Sequence, residues 1–259
     1  MYAFDMERPT TVAEAAAALG GDNQALGGGQ TLIPTLKSRL ASPEKLVLLS
    51  GVSEMQGIRL EGRDLRVGGA TVHADVAADG TYAALSGLAS HIGDPAVRSR
   101  GTIGGSIANN DPAACYPAAA LGSGATIVTN TREIAADDFF QGMFETALDD
   151  GEIVTAVKFP IPEKANYQKF VQPASRFALV GVFVAKFPGG VRVAVTGASN
   201  EGVYRWTAAE EALSADFSAA AIEGLSVSAD NLISDLHGSP KYRANLVKVM
   251  TGRAVTAAS

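Results

Sequence analysis

The sequence predicts an α+β protein in two parts that meet near residue 166. In the first part, short apolar runs that suit buried strands alternate with helical patterns and glycine-rich loops. In the second part, the apolar run Ala178–Phe187 and a shorter one at 191–196 are joined by Pro188-Gly189-Gly190, the pattern of an antiparallel hairpin. With 259 residues, the chain is long enough for two such parts.

The first 50 residues predict a strand–loop–helix–strand unit preceded by a helix. Thr11-Val12-Ala13-Glu14 is a capping box, and the alanine-rich helix that it opens should stop at Gly20-Gly21. A strand at 24–26 leads into a glycine loop. Thr31 is placed to cap the following helix, which should run to about residue 40, and 46–49 should form a buried strand.

Residues 50–165 predict a hairpin, three helical or looped segments and further strands. The hairpin pairs 58–60 with 64–67, and a helix follows in which Tyr82, Leu85, Leu88, Ala89 and Ile92 face the core. The glycine-rich stretch 101–112 is expected to be a loop, because three glycines disfavour a packed helix or strand. After it we expect a helix at 116–121, strands at 125–128 and 152–159, and a loop with a single turn at 137–142.

The second part should contain three strands, at 167–171, 178–187 and 191–196, and then helices near 207–213 and 218–225. A last helix begins with Ser239 as its cap and Pro240 in its first position. Its predicted apolar stripe consists of Tyr242, Leu246, Val249 and Met250.

Composition excludes several classes of function. A net charge of −6 with pI about 5.1 disfavours nucleic-acid binding. We find no apolar run long enough to span a membrane and no signal-peptide pattern, so the expected location is the cytoplasm. One cysteine, Cys115, permits neither an internal disulfide nor a self-contained iron–sulfur cluster. The histidines at 73, 91 and 237 lack metal-ligand spacing, and His73 and His91 are expected to be structural or exposed.

Two glycine-rich stretches are the candidate functional site. Gly27-Gly28-Gly29-Gln30-Thr31, the first glycine loop, stands between a strand and a helix, where backbone N–H groups can bind an anion. Residues 101–112, the second glycine segment, have similar chemistry. The first glycine loop matches neither the Rossmann fingerprint nor the P-loop, and a plain tight turn is an equal alternative for it. Together the two stretches favour a ligand with more than one phosphate.

These residues resemble a known family. Gly27-Gly28-Gly29-Gln30-Thr31 with Leu32 and Pro34 is similar to the first FAD-binding motif of the molybdenum hydroxylase flavoproteins, and Thr102-Ile103-Gly104-Gly105-Ser106 is similar to the second. The family includes the medium subunit of aerobic carbon monoxide dehydrogenase and the flavin part of xanthine dehydrogenase. The resemblance continues through Gly101, Glu152-Ile153-Val154 and the ending around Tyr242-Arg243, and it covers nearly the whole chain.

The resemblance implies a fold and a function. The fold would be a two-lobed FAD-binding domain of the p-cresol methylhydroxylase and vanillyl-alcohol oxidase type at 1–165, with its lobe boundary near 50–55. A domain with a three-stranded antiparallel sheet and helices would follow at 166–259. The chain would be an electron-transfer subunit holding FAD non-covalently. A large molybdopterin subunit and a small [2Fe–2S] subunit would complete a dimer of heterotrimers, in which electrons pass through the FAD to a terminal acceptor.

The resemblance also assigns cofactor contacts. The glycine motifs would bind the pyrophosphate through backbone N–H groups, Ile92 and Val154 would supply apolar contacts, and Lys169 a polar one. Counting the second segment and the residues after it, the implied set is Gly27, Gly28, Gly29, Gln30, Thr31, Leu32, Ile92, Gly101, Thr102, Ile103, Gly104, Gly105, Ser106, Asp111, Cys115, Val154 and Lys169.

Two positions depart from the family pattern. Cys115 stands where many relatives have an FAD-binding aspartate, and Arg176 stands where many have an aspartate before the aromatic that here is Phe177. Asp111 is either a replacement for the lost carboxylate or a turn residue. Cys115 is alternatively a small buried hydrophobe, and Lys169 a solvated strand lysine.

Two other functions remain open from the sequence. The chain could be a stand-alone FAD-dependent oxidase, although no catalytic base and no residue for covalent flavin attachment is evident in the glycine motifs. It could also be a non-catalytic assembly subunit with a degenerate flavin site, which the loss of the aspartate at Cys115 would signal.

Overall fold

The computed structural model describes residues 1–173 and 175–258. Within these ranges the helices are α1 Val12–Ala18, α2 Leu32–Lys37, α3 His73–Asp79, α4 Ala83–Ser90, α5 Pro95–Arg98, α6 Ile103–Asn109, α7 Tyr116–Ser123, α8 Ala136–Phe139, α9 Thr207–Ala215 and α10 Pro240–Ala258. The strands are β1 Asp5–Glu7, β2 Gln24–Leu26, β3 Lys45–Leu48, β4 Ile58–Glu61, β5 Asp64–Gly68, β6 Thr126–Thr129, β7 Glu133–Ala135, β8 Phe140–Gly142, β9 Glu145–Thr146, β10 Val154–Pro160, β11 Lys164–Val171, β12 Ala178–Phe187, β13 Gly190–Ser199 and β14 Gly202–Arg205.

The first unit is a small parallel sheet in the order β1-β3-β2. Its central strand β3 buries Leu46 and Val47 completely, one toward each of two small cores. The predicted capping box of α1 is confirmed, since the Glu14 N–H donates to Thr11 Oγ1 at 3.2 Å while the Glu14 carboxylate accepts from the Thr11 N–H. The strand–loop–helix–strand order places the first glycine loop at the carboxyl end of β2.

The second unit is a five-stranded antiparallel sheet in the order β4-β5-β10-β6-β7. The predicted hairpin is confirmed, with Glu61 paired to Asp64 across a tight turn in which Gly62 has a φ of 67°. Helices α4, α6 and α7 cover this sheet and bury Leu85, Ile107 and Tyr116 in a shared core. The sheet brings β10 and the segment after β5 beside the second glycine segment.

The third unit is an antiparallel sheet in the order β11-β12-β13-β14. The three predicted strands are present, and β14 is a short fourth strand at the edge. Alternation along β12 separates two faces: Val182 and Val184 face the core under α9 and α10, while Phe183 faces the core shared with α7. One continuous core therefore crosses the predicted boundary near residue 166.

The expected loop at 101–112 is wrong in its centre, because Ile103–Asn109 form the helix α6. Thr102 caps it by accepting the Gly105 N–H at 3.2 Å, and Asn110 ends it with a φ of 42°. Glycine disfavours helix by about 1 kcal/mol per residue. Here Gly104 lies so close to the backbone of Gly69 that a larger residue would not fit, so packing overrides propensity.

Four smaller expectations also differ. Thr31 stands at the start of α2 without forming a side-chain cap, and that helix ends at Lys37. The residues predicted as a helix at 218–225 form only a 3-10 turn, Ala219–Ile222. The α8 turn continues into β8, so 137–142 is more regular than a loop. The Ser239 cap of α10 is present at 3.3 Å, yet only Leu246 and Met250 of its predicted stripe are buried.

Over residues 1–173 and 175–258, no helix combines the length and the apolar character needed to cross a membrane.

Candidate functional site

A cavity of about 910 Å³ lies between the first glycine loop, the start of α6, the start of β10 and the β11–β12 connection. This volume is at the upper end of the ~300–1,000 Å³ usual for small-molecule and cofactor sites. All but one of the predicted site residues line this cavity; Ile103 does not, since it is fully buried in the core. The cavity is lined by Gly27, Gly28, Gly29, Gln30, Thr31, Leu32, Ile92, Gly101, Thr102, Gly104, Gly105, Ser106, Asp111, Cys115, Val154 and Lys169.

The two glycine stretches touch each other through their backbones. A Cβ atom on Gly28 would lie 2.0 Å from the carbonyl oxygen of Arg100 and 2.5 Å from the Cα of Gly101. A Cβ on Gly27 would lie 2.8 Å from Oγ1 of Thr102. These distances are shorter than van der Waals contact, so glycine is required at both positions for the loops to meet. The contact forms one continuous wall of the cavity.

The first glycine loop offers a row of free donors to this cavity. The backbone N–H groups of residues 28–32 have no acceptor among the residues that the structure describes. They come directly before and into the first turn of α2, where the N–H groups of a helix lack internal partners. Consecutive free N–H groups favour an anion, and a pyrophosphate is the anion that the paired loops predicted.

The second glycine segment contributes in a different way. The N–H of Gly101 donates to Val97 O at 2.8 Å, and the N–H of Gly104 donates to Gly69 O at 2.9 Å. The N–H of Ile103 is likewise bonded inside the protein, to Thr71 O. With Gly105 bonded to the Thr102 cap, the first turn of α6 has few donors left. Free backbone N–H groups are therefore found in the first glycine loop, whereas those of Gly101 and of residues 103–105 are already bonded within the protein.

Lys169 and Cys115 form a polar corner of the cavity. The Lys169 ammonium donates to the carbonyl of His91 at 3.0 Å and to Cys115 Sγ at 3.4 Å. No carboxylate pairs with Lys169 in the described part of the chain. Asp111 lines the same cavity but its Oδ1 accepts the Ala113 N–H at 2.8 Å, which makes it a turn residue as well. Burial raises the pKa of Asp111.

Sequence reasoning missed several residues of the wall. His73 lines the cavity although it was expected to be structural or exposed, and Gly69 lies behind Gly104. Arg176 and Phe177 line it from the β11–β12 connection, where Arg176 has a φ of 59°. Gly68-Gly69 after a predicted strand was a readable signal of close backbone approach. Nothing in the local pattern around His73 could have placed its ring.

Glu152, at the cavity edge just before β10, is the centre of a hydrogen-bonded cluster. Its side chain is 2% exposed and accepts from the Arg132 guanidinium at 2.9 Å through both oxygens. The hydroxyls of Thr129 and Thr131 and the Asp149 N–H also donate to it. The bonds from Arg132 are the main cause that holds the pKa of Glu152 well below its ordinary value. The cluster fixes the point where Val154 enters the cavity wall.

Replacing Arg132 with alanine is expected to destabilise the fold at neutral pH, and by more than the loss of a surface ion pair would, because the buried Glu152 carboxylate loses its charged donor. The pKa of Glu152 is lower in the folded chain than its unfolded value of about 4.5. Its ionised form therefore stabilises the fold above that pH, and this stabilisation is lost as the pH falls toward the folded pKa. The difference in unfolding free energy between the wild type and Arg132→Ala should therefore be smaller at pH 3 than at pH 7. Urea unfolding over this range measures it.

Arg59 gives the matched control, since it pairs with Glu61 at the surface. Arg59→Ala should change the unfolding free energy by less than about 1 kcal/mol. A difference for Arg132→Ala that stays constant between pH 7 and pH 3 would contradict the assignment to Glu152.

Comparison with known proteins identifies the family of this fold and site. The family model described as the FAD binding domain in molybdopterin dehydrogenase matches residues 2–162. The carbon monoxide dehydrogenase medium chain of Afipia carboxidovorans is 33% identical, over 97% of this chain and 95% of that protein. The nicotine 6-hydroxylase medium subunit of Paenarthrobacter nicotinovorans is 32% identical, over 92% and 90%.

Solved structures of similar proteins indicate the same family. Quinoline 2-oxidoreductase from Pseudomonas putida 86 superposes with a TM-score of 0.88 at 30% identity, over 99% of this chain and 97% of that one. Carbon monoxide dehydrogenase from Hydrogenophaga pseudoflava gives 0.88 at 32% identity, over 98% and 96%. The chain therefore belongs to the molybdopterin dehydrogenase FAD-binding family. It is an FAD-binding medium subunit of the molybdenum hydroxylase type, and thus part of a multi-subunit oxidoreductase, as the resemblance implied.

Proposed function

We propose that this subunit transfers electrons from the [2Fe–2S] clusters of a partner subunit, through its FAD, to a terminal acceptor. The observation that carries the proposal is the wall where the two glycine stretches meet beside free N–H groups, in a cavity of about 910 Å³. When bound, FAD supplies the redox chemistry. The single cysteine supports clusters on another chain, because such clusters usually need four cysteines.

The residues of the chain bind and shield the cofactor. The N–H groups of residues 28–32 would hold the pyrophosphate, and Thr31 and Gln30 border the same loop. Ile92 and Val154 are apolar wall residues that would exclude water from the ring system. Lys169 would place a positive charge beside the cofactor. The remaining predicted contacts, Asp111 and Cys115, line the same cavity, and Cys115 accepts a hydrogen bond from Lys169.

The proposed assembly is a dimer of heterotrimers with a large molybdopterin subunit and a small [2Fe–2S] subunit, located in the cytoplasm. Support comes from the relatives, which are medium or FAD-binding parts of larger dehydrogenases and hydroxylases. We also propose the domain division at 1–165 and 166–259, with a lobe boundary near 50–55. The family match over 2–162 and the change of sheet between β3 and β4 support this division.

The test is to purify the chain together with whatever subunits co-purify from its host. We expect a flavin absorption spectrum, FAD released on denaturation, and bleaching of that spectrum when the substrate of the complex is added anaerobically. A complete complex without FAD would refute the proposal. A flavin that stays oxidised while the iron–sulfur clusters become reduced would refute the electron path.

A further inference from the structure

His73 is a buried polar residue of the cavity wall for which the proposed function gives no role. It is the first residue of α3 and is only 5% exposed. Its Nδ1 is closed off from solvent and has no hydrogen-bond partner, and no bond from its Nε2 is found in the described part of the chain. Because Nδ1 is closed off, Nε2 is the ring nitrogen through which His73, a residue of the cavity wall, can bond to a ligand.

The ring lies at the point where the two glycine stretches meet. A Cβ on Gly101 would lie 2.5 Å from His73 Nε2, and a Cβ on Gly28 would lie 2.5 Å from the Cα of Gly101. The backbone keeps this order, because the His73 N–H donates to Gly101 O at 2.9 Å. The Nε2 edge of the ring and the first glycine loop therefore both lie against Gly101. Tyr116 packs against the ring, with centroids 5.3 Å apart, and holds it in place.

The protonation of the ring decides what it can offer. Burial, with a smaller contribution from the charge of Arg98, lowers the pKa of His73 to about 4. The imidazole is then neutral near pH 7, with one donor and one acceptor nitrogen. A proton on Nε2 would aim the donor at the cavity wall and leave Nδ1 as an unpartnered acceptor. An anion beside that wall would receive the donor in a charge-assisted bond.

We propose that His73 is a cofactor-positioning residue that donates an Nε2–H hydrogen bond to the pyrophosphate of FAD. The inference rests on the proposed seat of that pyrophosphate at residues 28–32 and adds a side-chain donor on the opposite side of Gly101. It also gives a reason for glycine at position 101, because any side chain there would cover the Nε2 edge of the His73 ring.

The experiment compares His73→Leu with His73→Gln in the purified full chain, with any co-purifying subunits. Glutamine keeps an N–H donor at a similar reach, and leucine removes it. We expect FAD to bind roughly 10- to 100-fold more weakly to His73→Leu, as for the loss of a hydrogen bond to a charged group, and within about threefold of wild type to His73→Gln. ADP, which carries the pyrophosphate without the flavin, should lose the same factor. His237→Leu is the control, because His237 is exposed.

The 31P spectrum of bound FAD provides a second measurement. The pyrophosphate resonances should shift in His73→Leu and keep their wild-type positions in His73→Gln. Should His73→Leu fail to fold, 15N-labelled histidine in the wild-type chain replaces it, and addition of ADP should shift the ring resonances of His73. Equal FAD affinity of wild type and His73→Leu, or ADP that leaves the His73 ring resonances unchanged, would overturn the inference. Absence of FAD binding by wild type would instead overturn the proposed function.

Discussion

Replacing Gly28 with alanine is expected to abolish retention of FAD and to lower the free energy of unfolding by about 1–3 kcal/mol, the usual cost of overpacking. The added methyl group would overlap the carbonyl oxygen of Arg100, 2.0 Å away, and the Cα of Gly101. Both are backbone atoms and cannot rotate aside. The loops must therefore separate, which moves the free N–H groups of the first glycine loop away from the second glycine segment. FAD content after gel filtration and urea unfolding measure the two effects.

Gly87→Ala is the matched control for this substitution. Gly87 is exposed in helix α4, and no atom lies within 4 Å of its ideal Cβ position. Alanine there should leave FAD content unchanged and raise stability by up to about 1 kcal/mol, as glycine is a poor helix former. Wild-type FAD content in Gly28→Ala would show that the contact between the two glycine stretches is not part of the site.

Arg243→Met should cause the largest loss of stability that the described contacts predict, about 3–5 kcal/mol. The guanidinium is 1% exposed and donates at 2.7 Å to the carbonyls of Leu179 and Gly197, and it pairs with Asp235 at 2.8 Å. Methionine keeps roughly the volume of the side chain and leaves the two buried carbonyls, and Oδ2 of Asp235, without the donor that Arg243 supplies. Thermal and urea unfolding of the flavin-free chain measure the loss.

Arg253 lies on the same helix and is exposed, so Arg253→Met is the control and should change stability by no more than about 0.5 kcal/mol. The opposite result, a stable Arg243→Met variant, would mean that α10 docks onto β12 through its apolar contacts alone.

The fold was predictable where local signals and tertiary packing agree. The capping box at Thr11, the hairpin around Gly62 and the Ser239 cap each concern neighbouring residues, and all three are present. The helix α6 was not predictable, since it depends on Gly104 meeting Gly69, which lies 35 residues earlier and on another element. The fourth strand of the third unit's sheet, β14, was missed for the same reason, because it is only four residues long and is defined by its pairing with β13.

The candidate site was predictable in its residues more than in their roles. Sixteen of the seventeen residues that the motifs indicated line one cavity; the exception is Ile103, whose side chain is buried in the core. Which N–H groups stay free could not be read from glycine content, because that depends on distant acceptors such as Gly69 O and Thr71 O. The partner of Lys169 was equally hidden, since its contact with Cys115 spans 54 residues.

The hydrogen bonds around Pro112 bear on the order in which the chain folds. The Gly197 N–H and the Thr196 hydroxyl both donate to Pro112 O, and Thr196 also reaches Ala114 O, across more than 80 residues of chain. Long-range closures of this kind lose chain entropy before their contacts form, so they come late in folding. The downstream half of the second glycine segment therefore acquires its shape only when β13 is in place.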